Sequence, residues 1–437
     1  MEHPIRDDRV RTYLLPVRVL WKTDAATAQV ENDTALLQEH SGQISLNTGT
    51  ACILRNQGGR SGILLDFGQE LQGGVQILTW RCGQTHNARV RIRFGESAME
   101  AMSEIGEKGS TNDHAIRDFT TEISFLGMAE IGNTGFRFVR LDLLDEPGFL
   151  EIKSVRAIRL QAERPYIGSF CCSDPLLDRI WQTGAYTAEL NMQNYLWDGI
   201  KRDRLVWIGD MYPETSAIRS VFGDDAVVRR SLDFIRDETP LPGWMNGLPS
   251  YSMWWILIHR DWYWQNGDLG YLRQQRSYLL NLLRQLASLV DAAGQAAIEN
   301  QFTDWSTVGN PAAQEGIIHS ILLLALAAGA ELAEILADGE TEGAARQAAA
   351  RIQLRAQRMD HGGSKQAAAL LALASLADPA AVNRDILSVG GAQGLSAFLG
   401  YFVLEARAKG GDIRGCLDMI REFWGGMLQM GATSFWE

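Results

Sequence analysis

The feature that most constrains this chain is a change of hydrophobic period close to Ser173. Before it, apolar and polar residues alternate in short runs; after it, apolar residues recur three and four positions apart. The early runs "GILLDFG", "GGVQILTW", "ARVRIRFGE", "FTTEISF", "GFRFVRLDLL" and "SVRAIRLQAE" are rich in β-branched and aromatic residues, and Gly, Asn or Asp bounds most of them. A period of two turns one face of each run towards a core, and many such strands with little helix between them imply a β-sandwich. "SDPLLDRIWQTGAYTAEL" then follows the helical period. Asp174 is placed to cap a helix, Pro175 fits its first position, and Leu176, Leu177, Ile180 and Trp181 share one face. The expectation is a multidomain β + α chain, with a jelly-roll-like β-sandwich over 1–165 and an all-helical domain over 166–437.

Eleven helical segments can be placed, starting near residues 173, 211, 224, 250, 268, 311, 341, 363, 379, 390 and 411. Connections after odd-numbered segments include the longest, 198–210, 239–249, 294–310 and the closing 431–437, whereas those after even-numbered segments are short. In a ring of antiparallel helical hairpins the odd-to-even connections all emerge at one end. The long loops should therefore converge on one mouth, with rigid helices behind them. Nine of the thirteen Trp lie between Trp181 and Trp305, and Trp197, Trp207, Trp244 and Trp305 sit in or beside these loops. Any one of these rings is as readily core as ligand-facing.

One loop carries an unusual load. "DGIKRDRLVWIGD", Asp198–Asp210, holds three carboxylates, three cations and a Trp. One reading is a solvated loop whose charges neutralise one another. The other is a sugar-cleaving site, because inverting glycoside hydrolysis needs one carboxylic acid and one carboxylate about 6.5–9.5 Å apart. Two groups on one short loop can hardly straddle a sugar, but one here and one on a distant loop can. Crowding Asp198, Asp203 and Asp210 together raises the affinity of at least one for its proton, while Lys201, Arg202 and Arg204 oppose that rise. Which carboxyl is the acid is left open on these grounds.

Composition narrows the alternatives. A net charge of −12 lacks the basic face that nucleic-acid binding requires, so no nucleic-acid partner is expected. Five Cys, two of them adjacent at Cys171 and Cys172, fit neither a metal spacing nor a disulfide framework and read as reduced thiols in the cytoplasm. The start "MEHPIRDDRVRTYLLP" has no signal-like apolar stretch, and His319 and Glu331 interrupt "IIHSILLLALAAGAELAEIL". That run reads as a buried helix, so no membrane partner is expected. Seven scattered His give no metal pattern, and neither metal nor cofactor is expected. Homo-oligomerisation stays open.

The motifs together resemble bacterial α-L-rhamnosidases of glycoside hydrolase family 78. Asp198, Arg202, Asp203, Arg204, Trp207, Gly209 and Asp210 fall at the spacing of the family's acidic motif, in some members Asp-x-Pro-x-Arg-Glu-Arg-x-x-Trp-x-Gly-Asp. "GATSFWE" (Gly431–Glu437) is similar to its Gly-Ala-Thr-Thr-x-Trp-Glu motif, "FTDWS" (Phe302–Ser306) to its Asp-Trp loop, and "LDFGQELQGGVQI" and "RFGES" to elements of its β-domain. The resemblance implies an (α/α)6 six-hairpin toroid and an inverting hydrolase that releases terminal α-L-rhamnose from rhamnose-containing glycosides or oligosaccharides. It implies Asp203 as general acid and Glu437 as general base. Asp198, Arg202, Trp207, Asp210, Trp254, Asp304, Trp305 and Trp436 would bind the sugar. Asp203 stands where many members have the longer Glu, so Asp198 is the fallback acid. Six hairpins make twelve helices and eleven are placed, so the chain reads as truncated, lacking its last helix, with Glu437 on a mobile end. The alternatives are another six-hairpin glycosidase and a non-catalytic sugar-binding derivative.

Overall fold

The computed structural model describes residues 7–46, 49–83, 86–109 and 116–436. The chain divides into two compact units, Met1–Arg164 with Leu190–Leu205, and Pro165–Glu189 with Val206–Glu437. The second part of the first unit was expected within the helical domain; by its contacts it groups with the sheet.

Among the described residues the first unit is an antiparallel network of ten strands: β1 (Val10–Leu14), β2 (Arg18–Lys22), β3 (Asp24–Ala25), β4 (Ala28–Glu31), β5 (Cys52–Asn56), β6 (Gly62–Cys82), β7 (Asn87–Gly95), β8 (Asp118–Ser124), β9 (Met128–Leu143) and β10 (Gly148–Gln161). Their order is β3-β4-β5-β10-β6-β9-β7-β8, with β1 on β10 and β2 on β6. "GILLDFG" and "GGVQILTW" are two arms of the single strand β6; the first arm pairs with β2 and the second with β10, while β9 follows both. Gly73 permits this change of partner. Its φ is 146°, and a Cβ there would lie 1.9 Å from the carbonyl oxygen of Ile158. The alternation works as expected: Ala88, Val90, Ile92 and Phe94 of β7 all point into one core with Val75, Ile77, Phe136 and Leu141. A short helix, α1 (Ala98–Met102), follows β7; Ser97 caps it by accepting from the Glu100 amide at 3.1 Å.

The second unit is helical: α2 (Pro175–Asn191), α3 (Met211–Val221), α4 (Ala226–Asp237), α5 (Pro249–Asn266), α6 (Leu269–Ser288), α7 (Pro311–Ile335), α8 (Gly339–Gln353), α9 (Lys365–Leu373), α10 (Pro379–Val382, continuing through a π-helical turn to Leu387), α11 (Gly400–Lys409) and α12 (Ile413–Gln429). Ten of the eleven begin within two residues of the expected positions. The start signals are local: the side chains of Asp225, Asp268, Asn310, Asp338, Ser364, Asp378 and Asp412 each accept a hydrogen bond from a first-turn amide. The exception is α11, expected near 390. Gly390, Gly391 and Gly394 have φ of 70°, 56° and 76°, so this stretch turns and helix resumes only at Gly400.

Alternate helices build the inner wall, since α3, α5, α7, α9 and α11 each pack on the next in that series. Accordingly α5, α7 and α9 are almost wholly buried, while α4, α6 and α8 bury one face. α7 is long and apolar enough to cross a membrane by length and composition, but 83% of its most apolar window is buried inside the protein.

Candidate active site

The acidic loop is held by two different sets of contacts. Its first half belongs with the sheet unit. Asp198 closes it, its amide donating to the Leu205 carbonyl at 3.1 Å and its carboxylate accepting from the Leu205 amide at 2.9 Å. Lys201 is buried and pairs with Glu100. Arg204 donates to the Asn133 carbonyl at 2.7 Å and its guanidinium lies 5.7 Å from the Trp197 ring centre. Between them Asp203 has φ of 55° and Arg204 of 57°, the left-handed region that side chains rarely occupy. Arg202 is 40% exposed and comes no closer to the Asp203 carboxylate than 4.0 Å.

The second half belongs with the helical unit. Asn246 brackets it, accepting from the Ile208 amide and donating to the Val206 carbonyl, both at 3.1 Å. Trp207 meets Tyr251 edge-on at 5.9 Å, and Gly209 lets Tyr251 approach, because a Cβ there would lie 2.5 Å from its ring. Asp210 precedes α3 but makes no side-chain capping bond, unlike the aspartates that start α4, α6, α8 and α12.

Within the helical unit, a cavity of about 620 Å³ is lined by Asp304, Trp305 and Ser306 from one loop and by the 392–398 turn with Phe398. Glu422, Phe423, Met427 and Met430 from the end of α12, and Trp436 from the tail, complete it. The 304–306 loop and the tail belong to two of the four long connections expected to converge; 198–210 and 239–249 are not in this lining, and the 392–398 turn was expected to be helical. Trp305 is 71% exposed and Trp436 42%, so both rings offer a face. Asp304 is nearly buried, with the Ser306 hydroxyl donating to its carboxylate. The tail is docked up to its last described residues: the Phe435 amide donates to the Thr187 hydroxyl at 2.9 Å and its ring packs with Leu177, Ile180 and Leu428. Glu437 lies outside the described residues.

Of the expected sugar-binding residues in this unit, Asp304, Trp305 and Trp436 share the cavity, while Trp207 and Asp210 are not among its lining. Trp254 is a correction. It is 1% exposed, stacks on Phe402 at 4.9 Å and packs against Tyr212 at 5.1 Å, so it is core and presents no face to a ligand. Glu422 was missed. It sits in "IREFWGG", where nothing in the local pattern separates it from a solvated helix charge, yet it lines the cavity and accepts from the Ala392 amide at 3.0 Å. Among the described residues no group of three or more His, Cys, Asp or Glu is placed to hold a metal ion.

Residues 165–374 match the family model described as the bacterial alpha-L-rhamnosidase 6 hairpin glycosidase domain. This stretch, a little under half of the chain, is thus similar to a six-hairpin glycosidase domain of the bacterial α-L-rhamnosidase type. Solved structures agree on the fold. The GH78 family rhamnosidase of Bacillus sp. GL1 is 23% identical with a TM-score of 0.73, over 92% of this chain and 45% of that one. The rhamnosidase from Klebsiella oxytoca with rhamnose bound is 19% identical with a TM-score of 0.76, over 99% of this chain and 90% of that one. The α-L-rhamnosidase from Dictyoglomus thermophilum is 16% identical with a TM-score of 0.69, over 98% of this chain and 48% of that one. The chain thus spans about half the length of two of these rhamnosidases and nine-tenths of the third. No curated protein matches the sequence.

Proposed function

We propose that this protein is an inverting α-L-rhamnosidase acting on terminal α-L-rhamnose of glycosides. The match of residues 165–374 to the rhamnosidase six-hairpin domain carries the reading. It is supported by the likeness to the Klebsiella oxytoca rhamnosidase over nearly the whole of both chains. In this mechanism Asp203 donates its proton to the leaving oxygen as the glycosidic bond breaks. Glu437 takes a proton from the water that attacks the opposite face, which inverts the anomeric centre. Asp198, Arg202 and Asp210 bond sugar hydroxyls. Trp305 and Trp436 pack on apolar sugar faces beside Asp304, and Glu422 joins them because it lines the same cavity. Neither metal nor cofactor takes part. The five free thiols fit action in the cytoplasm.

The test is hydrolysis of 4-nitrophenyl and methyl α-L-rhamnoside followed by proton NMR. The first product should be β-L-rhamnose. An α-anomer appearing first overturns inversion, and turnover of other glycosides but not rhamnosides overturns the substrate. Asp203→Asn should lower kcat on the methyl glycoside by about 10²–10⁴-fold, and less on the nitrophenyl glycoside, whose leaving group needs little protonation. Equal losses on both substrates would remove Asp203 as the acid and pass the role to Asp198.

A further inference from the structure

The loop that carries the proposed acid is anchored on both sides of it. Residues 200–204 are fastened to the sheet unit at four successive points. Ile200 fills the space over Gly135, where a Cβ would lie 2.6 Å from its Cγ1. Its carbonyl accepts from the Gln72 side-chain amide at 3.0 Å, with that amide oriented to satisfy its neighbours. Lys201 reaches Glu100, with side-chain exposures of 2% and 7%, and lies 3.7 Å from Glu96. Arg204 donates to the Asn133 carbonyl at 2.7 Å. Glu100 is itself pinned: it sits in capped α1, its carboxylate accepts from the Glu96 amide at 2.9 Å, and the Arg117 guanidinium lies 3.9 Å away.

Asp203 and Arg204 lie between these anchors in left-handed backbone, at φ of 55° and 57°. Such a conformation persists in non-glycine residues only where the surroundings over-determine it. A buried ion pair suits that task. It adds little net stability over a packed apolar plug, but its hydrogen-bond geometry admits one position of the chain, whereas an apolar plug tolerates sliding.

We propose that Lys201, locked on Glu100, is a positioning residue that sets the loop conformation presenting Asp203. The role rests on the reading of Asp203 as the acid. Lys201 touches neither sugar nor water in this scheme; it acts through the backbone two residues ahead of the carboxyl.

The experiment uses the full chain and three variants: Lys201→Met, Lys201→Met/Glu100→Gln and Asp203→Asn. Hydrogen exchange of peptides spanning 198–205 is measured alongside kcat and KM on methyl and 4-nitrophenyl α-L-rhamnoside. In Lys201→Met, exchange in 198–205 should rise about 10-fold or more while β6 and β9 keep their protection. Its kcat should fall about 10-fold further on the methyl than on the nitrophenyl glycoside, with KM unchanged, as a misplaced acid requires. The double variant removes the unpaired Glu100 charge and so recovers any stability lost by the single one, yet it should keep the leaving-group-dependent defect. Wild-type protection of 198–205 in both Lys201 variants overturns the proposal whatever the activity. A selective loss in Asp203→Asn with none in either Lys201 variant overturns this proposal alone. Full activity of Asp203→Asn on the methyl glycoside overturns the acid assignment, and the service of Lys201 to it falls with it.

Discussion

Among the described residues the sheet unit buries Asp66, Glu70, Arg93, Glu100, Arg117, Asp142, Glu151 and Lys201, whereas the helical unit buries Asp304 and Arg407 of the charged types. The contrast follows from how each unit is built. A helix satisfies its own backbone, so α5, α7 and α9 can be apolar nearly all round and pack as Trp, Leu, Ile and Ala. A strand has two faces. β7 sends Ala88, Val90, Ile92 and Phe94 one way and Arg89, Arg91 and Arg93 the other, and α1 packs against that strand. Charges covered in this way must be paired. Arg93 and Arg140 share Asp142 at 3.3 and 2.9 Å, and Arg18 and Arg137 share Asp66 at 2.8 Å each. Apolar packing chiefly supplies stability and ion pairs chiefly supply geometry. The half of the acidic loop that carries Asp203 is held by the unit that works through geometry.

Three measurements can break or sharpen this contrast, and the largest effect is expected in the aromatic core. Trp254→Ala should cost about 3–5 kcal/mol of stability, as loss of a fully buried large ring does, measured by denaturant unfolding. KM for a rhamnoside should stay the same. A raised KM at unchanged stability would return Trp254 to the ligand site and undo its reassignment to the core.

The second effect is acid sensitivity of the helical unit. His259 is buried between Trp255 and Tyr271, and burial pulls its pKa down from 6.5 to about 4. The folded state therefore resists a proton that the unfolded chain accepts. Stability is complete above pH 6.5 and falls as the pH drops towards 4, by up to about 3 kcal/mol at the bottom of that window. A plot of unfolding free energy against pH should be flatter in His259→Asn than in the wild type between these limits. Parallel plots would show that His259 is not the group responsible.

The smallest effect has the opposite sign and lies in the sheet unit. Burial first, and then the charge of Glu96, hold the Glu70 carboxyl well above its ordinary 4.5. Its folded pKa is raised, so the folded state keeps a proton that the unfolded state has lost. The sheet unit loses stability as pH climbs from 4.5 through the raised value. Glu70→Gln should unfold at a higher temperature than the wild type at pH 8 and at nearly the same temperature at pH 4.5. A variant less stable at pH 8 would show that the carboxylate is charged and paired there.

Much of this was readable along the chain, and the reason is range. Helix starts depend on one cap and the next three residues, so Asp268, Asp338 and Asp412 mark their helices without outside help. Strand alternation is likewise a property of seven or eight neighbours, which is why β7 and β8 stand where the runs put them, while only the later parts of β9 and β10 do. The motif at Asp198–Asp210 was also visible as a concentration of charge. Its internal sorting was not. Lys201 is buried because Glu100 waits for it 101 residues earlier, and nothing beside Lys201 distinguishes it from exposed Arg202.

The sequence by itself therefore determined the period change near Ser173, most of the helix starts and their caps, two of the connections that line the cavity and the candidate carboxylates. Tertiary structure decided which of the like residues are buried. Trp254 and Trp305 are the same side chain and both were expected to bind sugar, yet Phe402 from a helix far along the chain covers one and solvent the other. Glu422 was turned from a helix charge into a cavity wall by the glycine-rich turn whose Ala392 amide it accepts. Asp203 lies in left-handed backbone between Ile200, Lys201 and Arg204, which meet Gly135, Glu100 and Asn133. Such choices depend on groups brought together from distant positions, whose desolvation and pairing no local window contains.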